Sequence, residues 1–192
     1  MPTGRSEDDP RTTALEGLEP LLALRPELEI VADAVEAFEL PPTYRALLAH
    51  DQDMTSTLEA HHGEPIDLEP LVWRRDEAVL RREVRLLTRT TRRAVEYGAI
   101  TIELGGFGDE ARQAILEGRE PLGSILARCG PQYSSRPHGF FHLRSGHVDE
   151  VLDLTRASRL WGRANRLASV DGERTLATVV EVLPPLRAQA AG

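Results

Sequence analysis

The sequence contains no lysine: all 23 basic residues among its 192 are arginine. It has a single cysteine, Cys129, so no internal disulfide is available and a reducing compartment is expected. Aromatic residues make up 5% of the chain against 41% for all hydrophobic types, so the core must be built mainly from aliphatic side chains. No run approaches the roughly 18–20 uninterrupted apolar residues that span a bilayer. Residues 1–13 (MPTGRSEDDPRTT) show no basic start followed by an apolar run, and so do not read as a secretory signal. The expectation is a cytoplasmic protein that makes no use of a membrane.

The net charge of −8 is unevenly spread. Residues 1–70 hold 16 Asp/Glu and 4 Arg, a net of −12, whereas residues 71–192 hold 15 and 19, a net of +4. An acidic front half argues against a nucleic-acid partner, whose phosphates need a basic surface. An arginine-bearing back half fits a site for a small anion.

Residues 14–40 mix helical spacing with Pro20 and Pro26, which predicts two short helices. After the Pro41-Pro42 break, helices are expected over 43–49 and over 54–61, the second capped by Asp53 and stopped at Gly63. The texture then changes. Residues 66–73 alternate as a half-buried strand does, and 79–89 with 94–104 read as an antiparallel hairpin. A helix over 107–118, capped by Asp109, and a short one opened by Pro121 follow. Residues 140–143 form a weaker strand candidate. The Asp171-Gly172 turn joins strands over 161–170 and 174–183. The fold class expected is α+β around an antiparallel sheet.

Two charges sit on apolar strand faces. Arg82 shares a face with Leu80, Val84 and Leu86, while Arg81, Glu83 and Arg85 point the other way, towards solvent. A guanidinium in that setting requires an anion, either a structural carboxylate or a ligand's. Glu181 lies in a strand whose two faces are both largely apolar, so its carboxylate is expected to be buried. Such a group is salt-bridged or belongs to a functional site. The other candidates are weaker. His50, His61, His62, His138 and His142 lack metal-ligand spacing, Gly105-Gly106-Phe107-Gly108 lacks both nucleotide fingerprints, and no Ser-His-Asp framework is present.

From about Leu47 onward the chain resembles the chorismate pyruvate-lyases, or 4-hydroxybenzoate synthases. The resemblance is carried by Asp53-Met54-Thr55 with Leu58-Glu59, Arg82-Glu83-Val84, Pro121-Leu122-Gly123, Leu160-Trp161-Gly162-Arg163, and Glu181 in the strand ending at Pro184. It implies one α+β domain over 41–187, with a six-stranded antiparallel sheet and helices covering an enclosed site. Residues 1–40 would form a partly helical acidic extension. It further implies a cofactor-free and metal-free monomer that converts chorismate to pyruvate and 4-hydroxybenzoate. Arg82 would hold the ring carboxylate and Glu181 the ring hydroxyl, while Met54, Leu122 and Gly123 would line the pocket. The family's second site arginine falls at Ala99 here, with Arg163, Arg85 or Arg93 as substitutes and Arg163 preferred.

The alternatives are a related lyase giving another hydroxybenzoate, and a non-catalytic module that binds a small carboxylate. Effector domains of one family of bacterial transcription regulators share the general fold, behind a DNA-binding winged helix. The residues ahead of the match here are acidic, unlike such a domain.

Overall fold

The computed structural model describes residues 17–186. Seven antiparallel strands form one sheet in the order β1-β5-β6-β7-β4-β3-β2. They are β1 (Val31–Val35), β2 (Ile66–Asp76), β3 (Val79–Thr88), β4 (Ala94–Glu103), β5 (Tyr133–Arg144), β6 (Leu160–Ser169) and β7 (Thr175–Leu183). The expected α+β class holds, with seven strands in place of six. The seventh is β1, which pairs with β5 from Val31 opposite Arg144 to Val35 opposite Phe140. It arises in the segment where a second helix was expected. Alternation in Val-Ala-Asp-Ala-Val suits an edge strand once β5 offers its backbone. β5 itself runs over twelve residues, far beyond the four legible in the sequence.

The helices are α1 (Glu19–Leu24), α2 (Pro42–Leu48), α3 (Met54–His62), α4 (Asp109–Glu117), α5 (Leu122–Cys129) and α6 (Gly146–Val151). Local chemistry fixes several ends. The Asp53 carboxylate accepts from the Ser56 backbone N–H, 2.8 Å away, and satisfies one free donor of the first turn of α3. Gly63 (φ 70°) and Gly118 (φ 68°) close α3 and α4 in the left-handed conformation that glycine adopts without strain. Gly108, rather than Asp109, is the residue before the first turn of α4. Asp109 still places its charge favourably near the helix N-terminus.

One sheet face carries α1 and α6. Leu18, Leu21 and Leu24 pack there with Tyr97, Ala99, Phe141, Val148 and Val182. This corrects the expectation that the Arg81, Glu83 and Arg85 face of β3 is solvated. Glu83 is fully buried, bound to Arg25 Nε at 3.0 Å and to the His147 imidazole. Arg85 is ion-paired to Glu69 at 2.8 Å and to Asp153 at 3.1 Å. The cover comes from residues distant in sequence, which strand alternation cannot reveal.

The opposite face carries two helix pairs. α4 and α5 pack over Leu80, Ile100 and Ile102. α2 and α3 pack over Leu86, Val95 and Leu183. Among the described residues, no helix is long and apolar enough to cross a membrane, and no group of three metal-ligating side chains converges.

Candidate functional site

A cavity lies on this second face between the two helix pairs, with about 90 Å³ open to the centre of a water molecule. Its floor follows from register. Arg82 on β3 stands opposite Ile100 on β4, Gly98 opposite Glu181 on β7, and Glu181 opposite Arg163 on β6. Period-two alternation therefore points Arg82 and Val84, Glu96 and Gly98, Val179 and Glu181, and Arg163 and Asn165 to the same side. The first turns of α3 and α5 form the lid, through Asp53 to Thr55 and Pro121 to Gly123. All six residues singled out in the sequence (Met54, Arg82, Leu122, Gly123, Arg163 and Glu181) line this one cavity.

Two glycines permit close approaches here, Gly123 at the cavity itself and Gly162 on the opposite face of the sheet. A Cβ on Gly123 would lie 1.8 Å from Asp53 Oδ1, so only glycine lets α5 sit against the cap of α3. A Cβ on Gly162, beside Arg163, would lie 2.5 Å from the Phe141 ring and 2.6 Å from the Glu181 carbonyl.

The two arginines differ in kind. Arg163 is fully buried and largely committed: Nε donates to Glu181, and Nη1 donates to the carbonyls of Leu48 and His50, each at 3.0 Å. Only its Nη2 lacks a partner. Arg82 is 2% exposed and has no carboxylate partner among the described residues. Among the described residues its one hydrogen bond is a long one from Nη2 to the Glu120 carbonyl, 3.5 Å away, and Nε and Nη1 are unpartnered. Burial pushes its pKa down to about 10. Glu120 precedes Pro121, the N-cap of α5, whose first turn has no side-chain cap. Free backbone donors of a helix N-terminus and an unpaired guanidinium thus occupy one wall, an arrangement suited to an anion.

The opposite end carries carboxyl groups. Glu181 is 6% exposed and paired with Arg163, while Glu96 is 4% exposed with Oε2 unpartnered. Burial first, then the Glu181 and Asp53 carboxylates, hold the Glu96 pKa well above the usual range, against an opposing pull from Arg163. Asn165 Nδ2 donates to Ser135 Oγ at 3.0 Å on the β5 side. The sequence reading missed Glu96, although the signal was that of Arg82: it shares a strand face with Gly98, Ile100 and Ile102.

Ala99 needs correction as the counterpart of a second site arginine. It lies opposite Glu83 and faces α1, so no side chain at 99 would enter the cavity; the cavity positions on β4 are Glu96, Gly98 and Ile100. Of the suggested substitutes only Arg163 lines the cavity. Arg85 lies on the α1 face, and Arg93 donates to His62 Nδ1 at 2.8 Å beside a separate groove.

No family model matches the chain, and no curated protein matches it. Solved structures similar in chain trace include the C-terminal domain of the histidine utilization repressor from Pseudomonas syringae pv. tomato str. DC3000. That likeness has 9% identity and a TM-score of 0.46, covering 66% of this chain and 96% of that one. Another is PhnF from Mycobacterium smegmatis, at 10% identity and a TM-score of 0.48, covering 70% of this chain and 64% of that one.

Proposed function

We propose that this chain binds a small ring-bearing monocarboxylic acid in the cavity, with the ligand carboxylate on Arg82 and the first turn of α5. The observation that carries the reading is the unpaired, buried guanidinium of Arg82. Burying a charge without a partner is unfavourable by several kcal/mol, and a ligand carboxylate relieves that cost. The apolar floor (Val84, Ile100, Val179) suits a ring, and Glu181 with Arg163 offers polar contacts for a group at its far side. A cytoplasmic, monomeric protein whose partner is this small acid completes the proposal.

A second reading is the chorismate lyase that the sequence motifs resemble. It is favoured by the placement of Met54, Arg82, Leu122 and Glu181 around one cavity. In that reading Arg82 anchors the ring carboxylate and Glu181 holds the ring hydroxyl. Orientation and exclusion of water then promote loss of the enolpyruvyl group. Charge weighs against it. Chorismate is a dianion, Arg163 is already neutralised by Glu181, and Arg82 is the one cavity guanidinium without a carboxylate. A single such cation matches a monoanion better.

Calorimetric titration with 4-hydroxybenzoate, alongside incubation with chorismate and detection of pyruvate, separates the readings. Binding without pyruvate above the uncatalysed rate is the expected result. Pyruvate release with an aromatic acid product would establish the lyase, and neither binding nor turnover would remove both.

A further inference from the structure

We infer that Glu96 sets the ligand preference of the cavity by donating a hydrogen bond to an uncharged oxygen on the ligand's far side. This rests on the proposed placement of the ligand carboxylate at Arg82.

The geometry is specific to this residue. Glu96 extends from β4 onto the cavity floor, 4% exposed, and Oε2 has no hydrogen-bond partner among the described residues. A buried oxygen left in that state loses its hydration without compensation, so a ligand group that pairs with it gains the difference. The charged and titratable groups that face it are Glu181 from β7, Arg163 from β6, Asp53 from the start of α3, Arg82 from β3 and Tyr133 from β5. His50 adds its influence through the Arg163–Glu181 pair.

Arg163 carries one positive charge, already paired with Glu181, and so cannot balance two carboxylates. Two like charges at one site cannot both ionise easily, and the more deeply buried one keeps its proton. Burial and Glu181 both raise the Glu96 pKa, which favours its acid form. Its O–H is then a donor, and the free Arg163 Nη2 is a second one. Both donors belong to residues that line the cavity, and a hydroxyl or carbonyl oxygen can accept from them. Deprotonated Glu96 can only accept, so it repels a carbonyl oxygen, and affinity for a ligand carrying one should fall as pH rises through the native pKa of Glu96.

The test compares benzoate with 4-formylbenzoate, whose aldehyde oxygen only accepts, by calorimetry across a pH series from 6 upwards, using the whole chain and the variants Glu96→Gln and Glu96→Ala. Wild type should favour 4-formylbenzoate at least tenfold at pH 6, and that preference should shrink as pH rises through the native pKa of Glu96. Glu96→Gln keeps a neutral donor, so it should retain the preference and lose its pH dependence. Glu96→Ala should bind both acids alike. If Glu96→Gln is as indifferent as Glu96→Ala at pH 6, the donor role is overturned. Equal binding of the two acids by wild type would overturn the proposal while leaving the Arg82 site standing. If neither acid binds, the site reading fails and this proposal fails with it.

Discussion

Replacing Arg82 with methionine separates stability from binding, because the two roles open to a buried arginine predict opposite signs. The native pKa of about 10, against 12.5 in water, corresponds to about 3 kcal/mol of unfavourable burial of the charge. Methionine keeps most of the apolar stem that packs beside Val84 and Ile100 and removes that charge. The one hydrogen bond lost is the 3.5 Å contact to the Glu120 carbonyl, which is long enough to contribute little. Arg82→Met should therefore unfold at the same temperature as wild type or higher. A gain of 1 kcal/mol corresponds to roughly 2–4 °C for a domain of this size. Binding should move the other way. Two charge-assisted hydrogen bonds, from Nε and Nη1, are worth about 1.5–3 kcal/mol each, so affinity for 4-hydroxybenzoate should fall by roughly 10²–10⁴-fold. Thermal unfolding followed by circular dichroism and calorimetric titration read the two quantities. A variant destabilised by about 3–5 kcal/mol with unchanged affinity would show that Arg82 serves a structural ion pair, and would refute the reasoning.

The committed arginine should behave in the opposite way. Arg163→Met leaves the Glu181 carboxylate and the Leu48 and His50 carbonyls without their donor, and a loss of about 3–5 kcal/mol is expected in denaturant titration. Glu83→Ala strands Arg25 and His147 beneath α1, so a loss of similar size should appear there; full stability would mean that α1 does not seal that face. Gly123→Ala drives a methyl group against the Asp53 carboxylate and should lose about 1 kcal/mol through the broken cap of α3. For pH, the raised Glu96 pKa means that above about 4.5 the unfolded chain releases a proton that the folded one keeps. Its contribution is complete below that pH and declines as pH rises towards the native pKa. The stability of Glu96→Gln relative to wild type should accordingly grow with pH above 4.5, and a flat difference would contradict the assignment.

Elements that signal themselves locally were legible in the sequence. The β3/β4 hairpin, α3 between Asp53 and Gly63, and the β6/β7 pair around Asp171-Gly172 each follow from alternation, a cap or a turn residue. Elements that depend on distant partners were not. β1 is a strand because β5 lies beside it, and α6 opens on Gly146 and His147, which offer little helix propensity of their own. The same division runs through the site. Arg82 and Glu181 announced themselves as charges on apolar faces, and Glu96 carried the same mark unread. Glu83 was assigned to solvent because the cover over its face comes from α1 and α6, some 60 residues away on either side. Ala99 was matched to a site position by motif spacing alone, and a shift of one residue along a strand reverses the face.

A crystal structure of the chain soaked with 4-hydroxybenzoate tests the central claim most directly. The expected result is a single ligand between the two helix pairs, its carboxylate within about 2.7–3.2 Å of Arg82 nitrogens and its hydroxyl directed at Glu96 and Arg163. A ligand bound elsewhere, or one whose carboxylate lies away from Arg82, would contradict it.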